Sequence, residues 1–383
     1  MALPNLTGGH ENGRPLMDGI DFLIVVGRVL AVFVLLLTVT VLNVWLERKI
    51  LADMQNRVGP DRAGPWGILQ TVADGLKLFF KESITPRKAE YGIYVLAPFL
   101  AVIPAFLIFV NVPFGRPLTI GGREVILQGA DLNIGVLFIL AMSSLAVYAV
   151  VLAGWSSGSK YPLLGGVRAT AQAISYEAAM GLAIVAVVMY ASTAGPEGTL
   201  SLAGIVERQA GTFGDVFPNF ALAGLIPRWN VIPQFVAFVI FLIAIVAETN
   251  RAPFDLVEAE QELVGGFHTE YSGMRFAMYF LAEYVNIFSM SAICATLFLG
   301  GWNGPTWDGH VPAFISAVLP TIWLLVKTYA VIFLFFWIRA TLPRMRYDQL
   351  MQLGWKRLIP GALVWLVVST VLISFRQFGA PWS

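Results

Sequence analysis

Long apolar runs alternate with short polar connections along almost the whole chain. A helix of roughly 20 apolar residues crosses ~30 Å of hydrocarbon. Eight segments meet that requirement: 22–46, 93–112, 132–154, 169–194, 229–248, 276–300, 312–338 and 358–375. Glu177 interrupts the start of the fourth. Residues 66–81 follow a different pattern. Leu69, Val72, Ala73, Leu76, Phe79 and Phe80 recur at helical spacing, with Gln70, Asp74, Lys77 and Lys81 on the opposite stripe. Such a helix lies along a membrane interface with its aromatic side in the acyl boundary. The expected fold class is therefore all-α: one polytopic membrane domain over 1–383, with about eight transmembrane helices plus one interfacial amphipathic helix.

Composition agrees with the pattern. Of 383 residues, 57% are hydrophobic and 13% charged, about half the charge fraction of a soluble domain. The mean hydropathy is +0.73. The backbone of such a chain needs lipid around it and internal hydrogen bonds within it. A net charge of +1 argues against a nucleic-acid partner, which selects a basic domain. One cysteine, Cys294, rules out an internal disulfide and cannot hold an iron–sulfur cluster. His10, His268 and His310 are scattered, and neither a dinucleotide fingerprint nor a Walker A sequence is present. Metal ligands and a bound prosthetic group are not expected on this chain.

Charge placement sets the orientation. The segments joining helices 1–2, 3–4, 5–6 and 7–8 carry 17 of the 25 Lys and Arg residues. The opposite side carries six: Arg14, Arg116, Arg123, Arg208, Arg228 and Arg376. Arg28 and Lys327 lie within spans. The positive-inside rule then puts both termini outside and the odd-to-even connections in the cytoplasm, which requires an even number of spans. The polar start, 1–21, precedes an apolar run too long for a signal-peptide core, so that run is expected to be a retained first span. The outer connection 191–230 is expected to hold one short helix around Leu202–Gln209.

Two cytoplasmic connections carry the chemistry. In the first, a simple surface anchor accounts for the periodicity of 66–81. The mixed stripe of Asp74 with Lys77 and Lys81 instead favours the floor of a lipid-level entrance, because an anchor on anionic lipid would be basic throughout. The connection after the fifth span places Glu248, Asp255, Glu258, Glu260, Glu262 and Glu270 within 23 residues, with Arg251 as the permanent cation among them. In a helix over 254–264, Asp255, Glu258 and Glu262 would share a face. Like charges that close resist joint ionisation, so at least one proton stays near neutral pH. A solvated acidic loop is the plainer reading. The interleaved Phe254, Leu256, Val257, Leu263, Val264 and Phe267 count against it. Glu177, Glu283 and Lys327 lie within spans, where an ionisable group is costly and marks a functional site or a structural pair such as Glu283 with Lys327 or Arg168 with Glu177. Together they read as steps of one hydrated proton path.

Several stretches resemble one family: Leu46-Glu47-Arg48-Lys49, Gln55-Asn56-Arg57-Val58-Gly59-Pro60, Ala73-Asp74-Gly75-Leu76-Lys77-Leu78-Phe79, Gly154-Trp155-Ser156-Ser157, Arg168 to Gln172 with Ser175-Tyr176-Glu177, and the whole run Glu248–Tyr271. The chain is similar to the H-type membrane subunits of proton-pumping NADH:quinone oxidoreductase, respiratory complex I, called subunit 1 in mitochondria. The resemblance implies an enzyme subunit without a complete active site of its own, in the bacterial inner membrane. Its substrate would be quinone, while FMN and iron–sulfur clusters would belong to partner subunits. It would dock beneath the peripheral-arm subunits that carry the terminal cluster and beside other membrane subunits, in contact with lipid. Arg48, Arg57, Asp74, Lys77, Arg168, Arg251 and Phe254 fall near the family's quinone passage. Glu177, Glu248, Asp255, Glu258, Glu260, Glu262, Glu270 and Glu283 fall on its acidic channel. Some members carry a glutamate in helix 3 where this chain has Ser143-Ser144, so a proton step there has no carboxylate. Two other readings are weaker. A hydrogenase-type relative would lack the strong Arg48–Lys81 region, and a free-standing ion-coupled transporter would show repeats that this sequence lacks.

Overall fold

The computed structural model describes residues 7–11, 14–17, 19–120, 123–193, 198–212, 226–255, 263–305 and 313–378. The helices are α1 (Gly19–Met54), α2 (Gln70–Phe80), α3 (Tyr91–Val110), α4 (Gly135–Ser156), α5 (Lys160–Ser192), α6 (Leu202–Glu207), α7 (Phe235–Glu248), α8 (Gly273–Phe298), α9 (Ala313–Thr341), α10 (Tyr347–Leu353) and α11 (Ile359–Phe378). A five-residue π-helical turn, Gly354–Leu358, joins α10 to α11 into one continuous rod. Two short antiparallel hairpins, Thr7–Met17 and Leu118–Val125, are the strands among the described residues. Among those residues seven helices are long and apolar enough to cross a membrane, and α7 is a shorter apolar one.

Helix α8 is the centre of the bundle. Its second half is buried on every side, from Ile287 through Phe298, and it packs on α3, α9, α1 and α2. A second layer runs α3–α4–α5–α7, closed by α11 against α5. The rim helices α1 and α11 present apolar side chains outward, including Leu30, Phe33, Val364 and Val367. Apolar faces on both sides of a helix are what lipid or a partner helix requires.

The fifth expected span, 229–248, is shorter as a helix than its apolar run. Only Phe235–Glu248 is helical, 14 residues, about 21 Å long. Residues 230–234 form turns instead. Pro233 cannot donate to a helical ladder. The polar side chains beside it find fixed partners: Asn230 Nδ2 donates to the Leu297 carbonyl at 2.8 Å, and Gln234 Oε1 accepts from Trp365 Nε1 at 2.7 Å. Irregular backbone at membrane depth is tolerated where protein, not lipid, surrounds it, and Asn230 and Gln234 are both buried.

The expected interfacial helix forms as α2, after a single 3-10 turn at Pro65–Gly67. No residue of α2 is buried. It lies against α1 and α8, held by Trp45 Nε1 donating to the Trp66 carbonyl at 3.0 Å. Leu69, Val72, Leu76, Phe79 and Phe80 are exposed, with Phe80 at 82%. The short helix expected near Leu202–Gln209 forms as α6, capped by Ser201.

Candidate functional site

A mostly apolar groove of about 570 Å³ opens between α1, α2 and α8. Thr40 and Val44 of α1, Leu78 of α2, and Phe276, Phe280 and Tyr284 of α8 form its walls. Polar groups gather at one place along it. Arg48 Nη1 lies 2.5 Å from Asp74 Oδ2, and Gln70 donates to the other oxygen of Asp74 at 3.0 Å. Lys77 lines the same groove. On the far side of Arg48 a second pocket of about 500 Å³ is lined by Arg57, Val58, Gly59, Pro60 and Gln70. The Arg48–Asp74 pair therefore stands between an apolar slot and a basic, polar recess. It is half exposed, so its contribution to stability is about 0–1 kcal/mol. Its effect is to fix two charges at a chosen position.

Behind the groove wall lies a buried charge network. Arg251 donates to Glu47 at 3.2 Å and faces Glu283 at 2.8 Å, and Arg339 also donates to Glu47. The Arg251 guanidinium sits 4.7 Å from the Tyr284 ring centroid, and Tyr284 lines the groove. Two guanidinium groups meet two carboxylates, so the network is neutral as a whole. Glu47 is 2% and Arg251 8% exposed, and such charges persist in an interior only when paired.

Glu283 belongs to a third space, a small chamber of about 100 Å³. Glu248, Asn250, His268, Tyr279, Glu283 and Asn286 line it. Ser143 donates to Glu248 at 2.7 Å, and Ser144 donates to Glu177. Consecutive serines on α4 thus orient two membrane carboxylates. Phe280 faces both the groove and the chamber and forms part of the partition between them.

The connection after α7 is pinned from several sides. Gln172 donates to the carbonyls of Ala247 and Phe254, both at 2.8 Å. The Phe254 ring packs on Tyr176 at 5.3 Å, and Met345 N–H donates to the Pro253 carbonyl at 3.0 Å. Farther along, Tyr271 stacks on Tyr94 at 4.2 Å, and the Tyr94 hydroxyl donates to the Glu270 carbonyl at 2.7 Å. Burial raises the Tyr271 phenol pKa, which keeps the proton on it.

A model of the NADH dehydrogenase family matches residues 27–370. The chain is also similar to the H subunit of the NADH-quinone oxidoreductase of Frankia casuarinae, at 50% identity over 364 residues, 94% of this chain and 76% of that protein. This chain belongs to the NADH dehydrogenase family.

In this family member the site residues expected from sequence fall into distinct places. Arg48, Asp74 and Lys77 line the groove, and Arg57 lines the recess beside it. Arg251 is one residue behind the groove wall. Phe254 and Arg168 line neither cavity: Phe254 is a packing residue against Tyr176, and Arg168 is partly buried along α5. Glu248 and Glu283 share the chamber, and Glu177 is held by Ser144, the neighbour of the Ser143 that holds Glu248. Asp255 is partly buried beside the connection. Glu258, Glu260 and Glu262, with most of the helix expected over 254–264, lie outside the described residues. Lys327 is set apart from the chamber. Its ammonium donates to the carbonyls of Gly301, at 2.9 Å, and Asn303 and lies over the Trp229 ring at 4.3 Å, near the far end of α8. The pair of Glu283 with Lys327 weighed above does not form: Glu283 meets Arg251, and Lys327 meets backbone carbonyls.

Glu47 and Arg339 were not among the expected site residues, yet they close the buried network. Their signal was faint. Glu47 sits near the end of a span, where charges are ordinary, and its partners lie 204 and 292 positions away in the chain.

Proposed function

We propose that this chain is the membrane subunit of a bacterial NADH-quinone oxidoreductase that admits quinone from the bilayer and couples its reduction to proton movement. The observation that carries this reading is the unbroken contact series from groove to chamber. Tyr284 lines the groove, Arg251 lies over Tyr284 and against Glu283, and Glu283 lines the chamber. A long apolar tail suits the groove. A quinone carbonyl accepts hydrogen bonds, and Arg48, Lys77 and, deeper in, Arg251 are donors placed along it. Electrons come from outside this chain, through partner subunits that carry FMN and iron–sulfur clusters.

Negative charge developing on a quinone head beside Tyr284 draws on the Arg251 guanidinium behind that ring. Any weakening of the hold of Arg251 on Glu283 raises the proton affinity of that carboxylate. The chamber then takes a proton from one side and later yields it to the next carboxylate, Glu248 or Glu177. The acids Asp255, Glu258, Glu260, Glu262 and Glu270 extend the same path toward the cytoplasm. Lys327 is a more distant member, on the outer half of the bundle. The orientation that fits places both termini outside and the acidic connection in the cytoplasm beneath the peripheral arm.

Arg251→Lys tests the reading. It keeps the charge but loses the fork that reaches two carboxylates at once. Quinone-reductase turnover of the assembled enzyme should fall at least tenfold, with artificial-acceptor NADH oxidation retained. Wild-type turnover and wild-type KM for quinone would remove Arg251 from the site.

A further inference from the structure

His268 lines the chamber and packs on two phenylalanines of the groove wall, and it has no role in the family resemblance drawn above. It ends the 3-10 turn Gly266–His268. Its ring lies edge-on to three phenylalanines, with centroids 5.0 Å from Phe267, 5.3 Å from Phe276 and 6.1 Å from Phe280. Phe276 and Phe280 line the groove, while His268 itself lines the chamber with Glu248 and Glu283. The imidazole is thus built into the partition, one edge against the groove wall and the other toward the acids.

The position is rigid. A Cβ on Gly165 of α5 would come within 2.8 Å of the Phe267 backbone nitrogen and 2.9 Å of Gly266. Gly266 itself has φ +60°, a region that glycine enters freely. Helix and turn meet backbone to backbone, so the ring cannot drift. A phenylalanine would fill the same aromatic nest. What a histidine adds is one nitrogen that accepts a proton and another that gives one. The ionisable groups facing it across the chamber are Glu248 from α7 and Glu283 and Tyr279 from α8; α3, α4 and α5 contribute Ala101, Ala146, Val147, Val150 and Ala173. The chamber volume is large enough to admit water, which needs roughly 15 Å³.

We propose that His268 is a proton-carrying group of the chamber, which takes a proton at one ring nitrogen and passes it from the other to Glu283 or Glu248. In the first step an O–H bond of a hydronium ion breaks, leaving water, and an N–H bond forms. In the second an N–H bond breaks and a carboxyl O–H bond forms. No electron moves. Contact with Phe276 and Phe280 makes the step sensitive to what occupies the groove. The inference rests on the function proposed above.

The test compares His268→Gln, His268→Asn and Glu283→Gln in the assembled complex, with artificial-acceptor NADH oxidation as the assembly control. Both His268 variants should lose at least fivefold in kcat for quinone reduction with unaltered KM, because proton delivery slows while binding does not. In the wild type, the redox-difference infrared spectrum of enzyme carrying isotope-labelled histidine should show an imidazolium band, absent from both variants. If Glu283→Gln abolishes coupled turnover while both His268 variants keep wild-type kcat, the histidine step is wrong and the chamber reading stands. If Glu283→Gln itself turns over normally, the chamber reading fails. A wild-type spectrum without any imidazolium band overturns the proposal even if neither variant assembles.

Discussion

Glu47 is the residue on which most buried charge converges. Its side chain is almost fully enclosed, and two guanidinium groups, those of Arg251 and Arg339, donate to the same oxygen. Removing one partner of a buried pair leaves the others uncompensated and costs about 3–5 kcal/mol. Glu47→Gln should therefore lower the thermal stability of the assembled complex and its quinone-reductase turnover together, read by heat inactivation and steady-state assay. Asp74→Asn is the contrasting case. Its pair with Arg48 is half exposed, so stability should change by no more than about 1 kcal/mol. The KM for quinone should rise several-fold, because Arg48 then loses its fixed position in the groove. Equal effects from the two substitutions would break the distinction between buried network and groove lining. His268 gives a pH dependence of definite sign. Burial among aromatic rings pushes its pKa down to about 4, from an ordinary value near 6.5. Between those values an unfolded chain holds a proton that the resting folded chain does not, so a proton carried by this imidazole is transient. Stability from this residue is complete above pH 6.5 and is lost as pH falls toward 4. Acid-inactivation rates measured across that window should be flatter for His268→Gln than for the wild type.

At the scale of elements, α2 is the clearest case of a helix whose role follows from its faces. Every apolar side chain on its stripe is exposed in the isolated chain, while Asp74 and Lys77 turn toward the groove. Lipid is the natural cover for that stripe. Phe80→Glu should loosen the helix from the interface and raise the KM for a long-tailed quinone more than for a short-tailed one. Equal KM values would mean that the groove is not the route from the bilayer. This element was legible in the sequence because its period is local: 11 residues suffice to show two faces. The long spans were legible for the same reason. What local pattern could not show is partnership across the chain. The buried network joins α1, the connection after α7, α8 and α9, and nothing near Glu47 announces Arg339. The serines Ser143 and Ser144 read as the absence of a carboxylate, whereas in the fold they hold two carboxylates in place. The shortening of α7 was hidden because an apolar run records burial, not backbone conformation, and residues 230–234 form turns with Asn230 and Gln234 buried at their two ends. Phe254 was placed with the quinone passage by its position in the signature; packing of its ring against Tyr176 is a contact no local pattern announces.

The whole molecule has a polarity that fits its proposed work. The groove mouth, the recess beside Arg57 and the acidic connection lie at one end of the bundle. The other end carries the polar cage of Gln209, Asn230 and Asn303 beneath Lys327. The positive charge of the connections lies at the first end, with 17 of the 25 Lys and Arg residues. The positive-inside rule therefore predicts a cytoplasmic position for that end, the side on which an NADH-oxidising arm is proposed to dock. One consequence can be checked without any turnover assay. Cys294 is the only cysteine in the sequence and is buried, so Cys294→Ser gives a background free of native thiols. Gly198→Cys then introduces a thiol on the opposite connection, where a new Cβ meets nothing closer than Ser192 Oγ at 3.6 Å. Glu82→Cys introduces one at the exposed end of α2. A membrane-impermeant maleimide should label Gly198→Cys in intact cells. It should reach Glu82→Cys only in inverted vesicles stripped of peripheral subunits. The reverse pattern would turn the bundle over. The groove would then open away from the source of electrons, and no arrangement of its residues would let this chain serve quinone reduction.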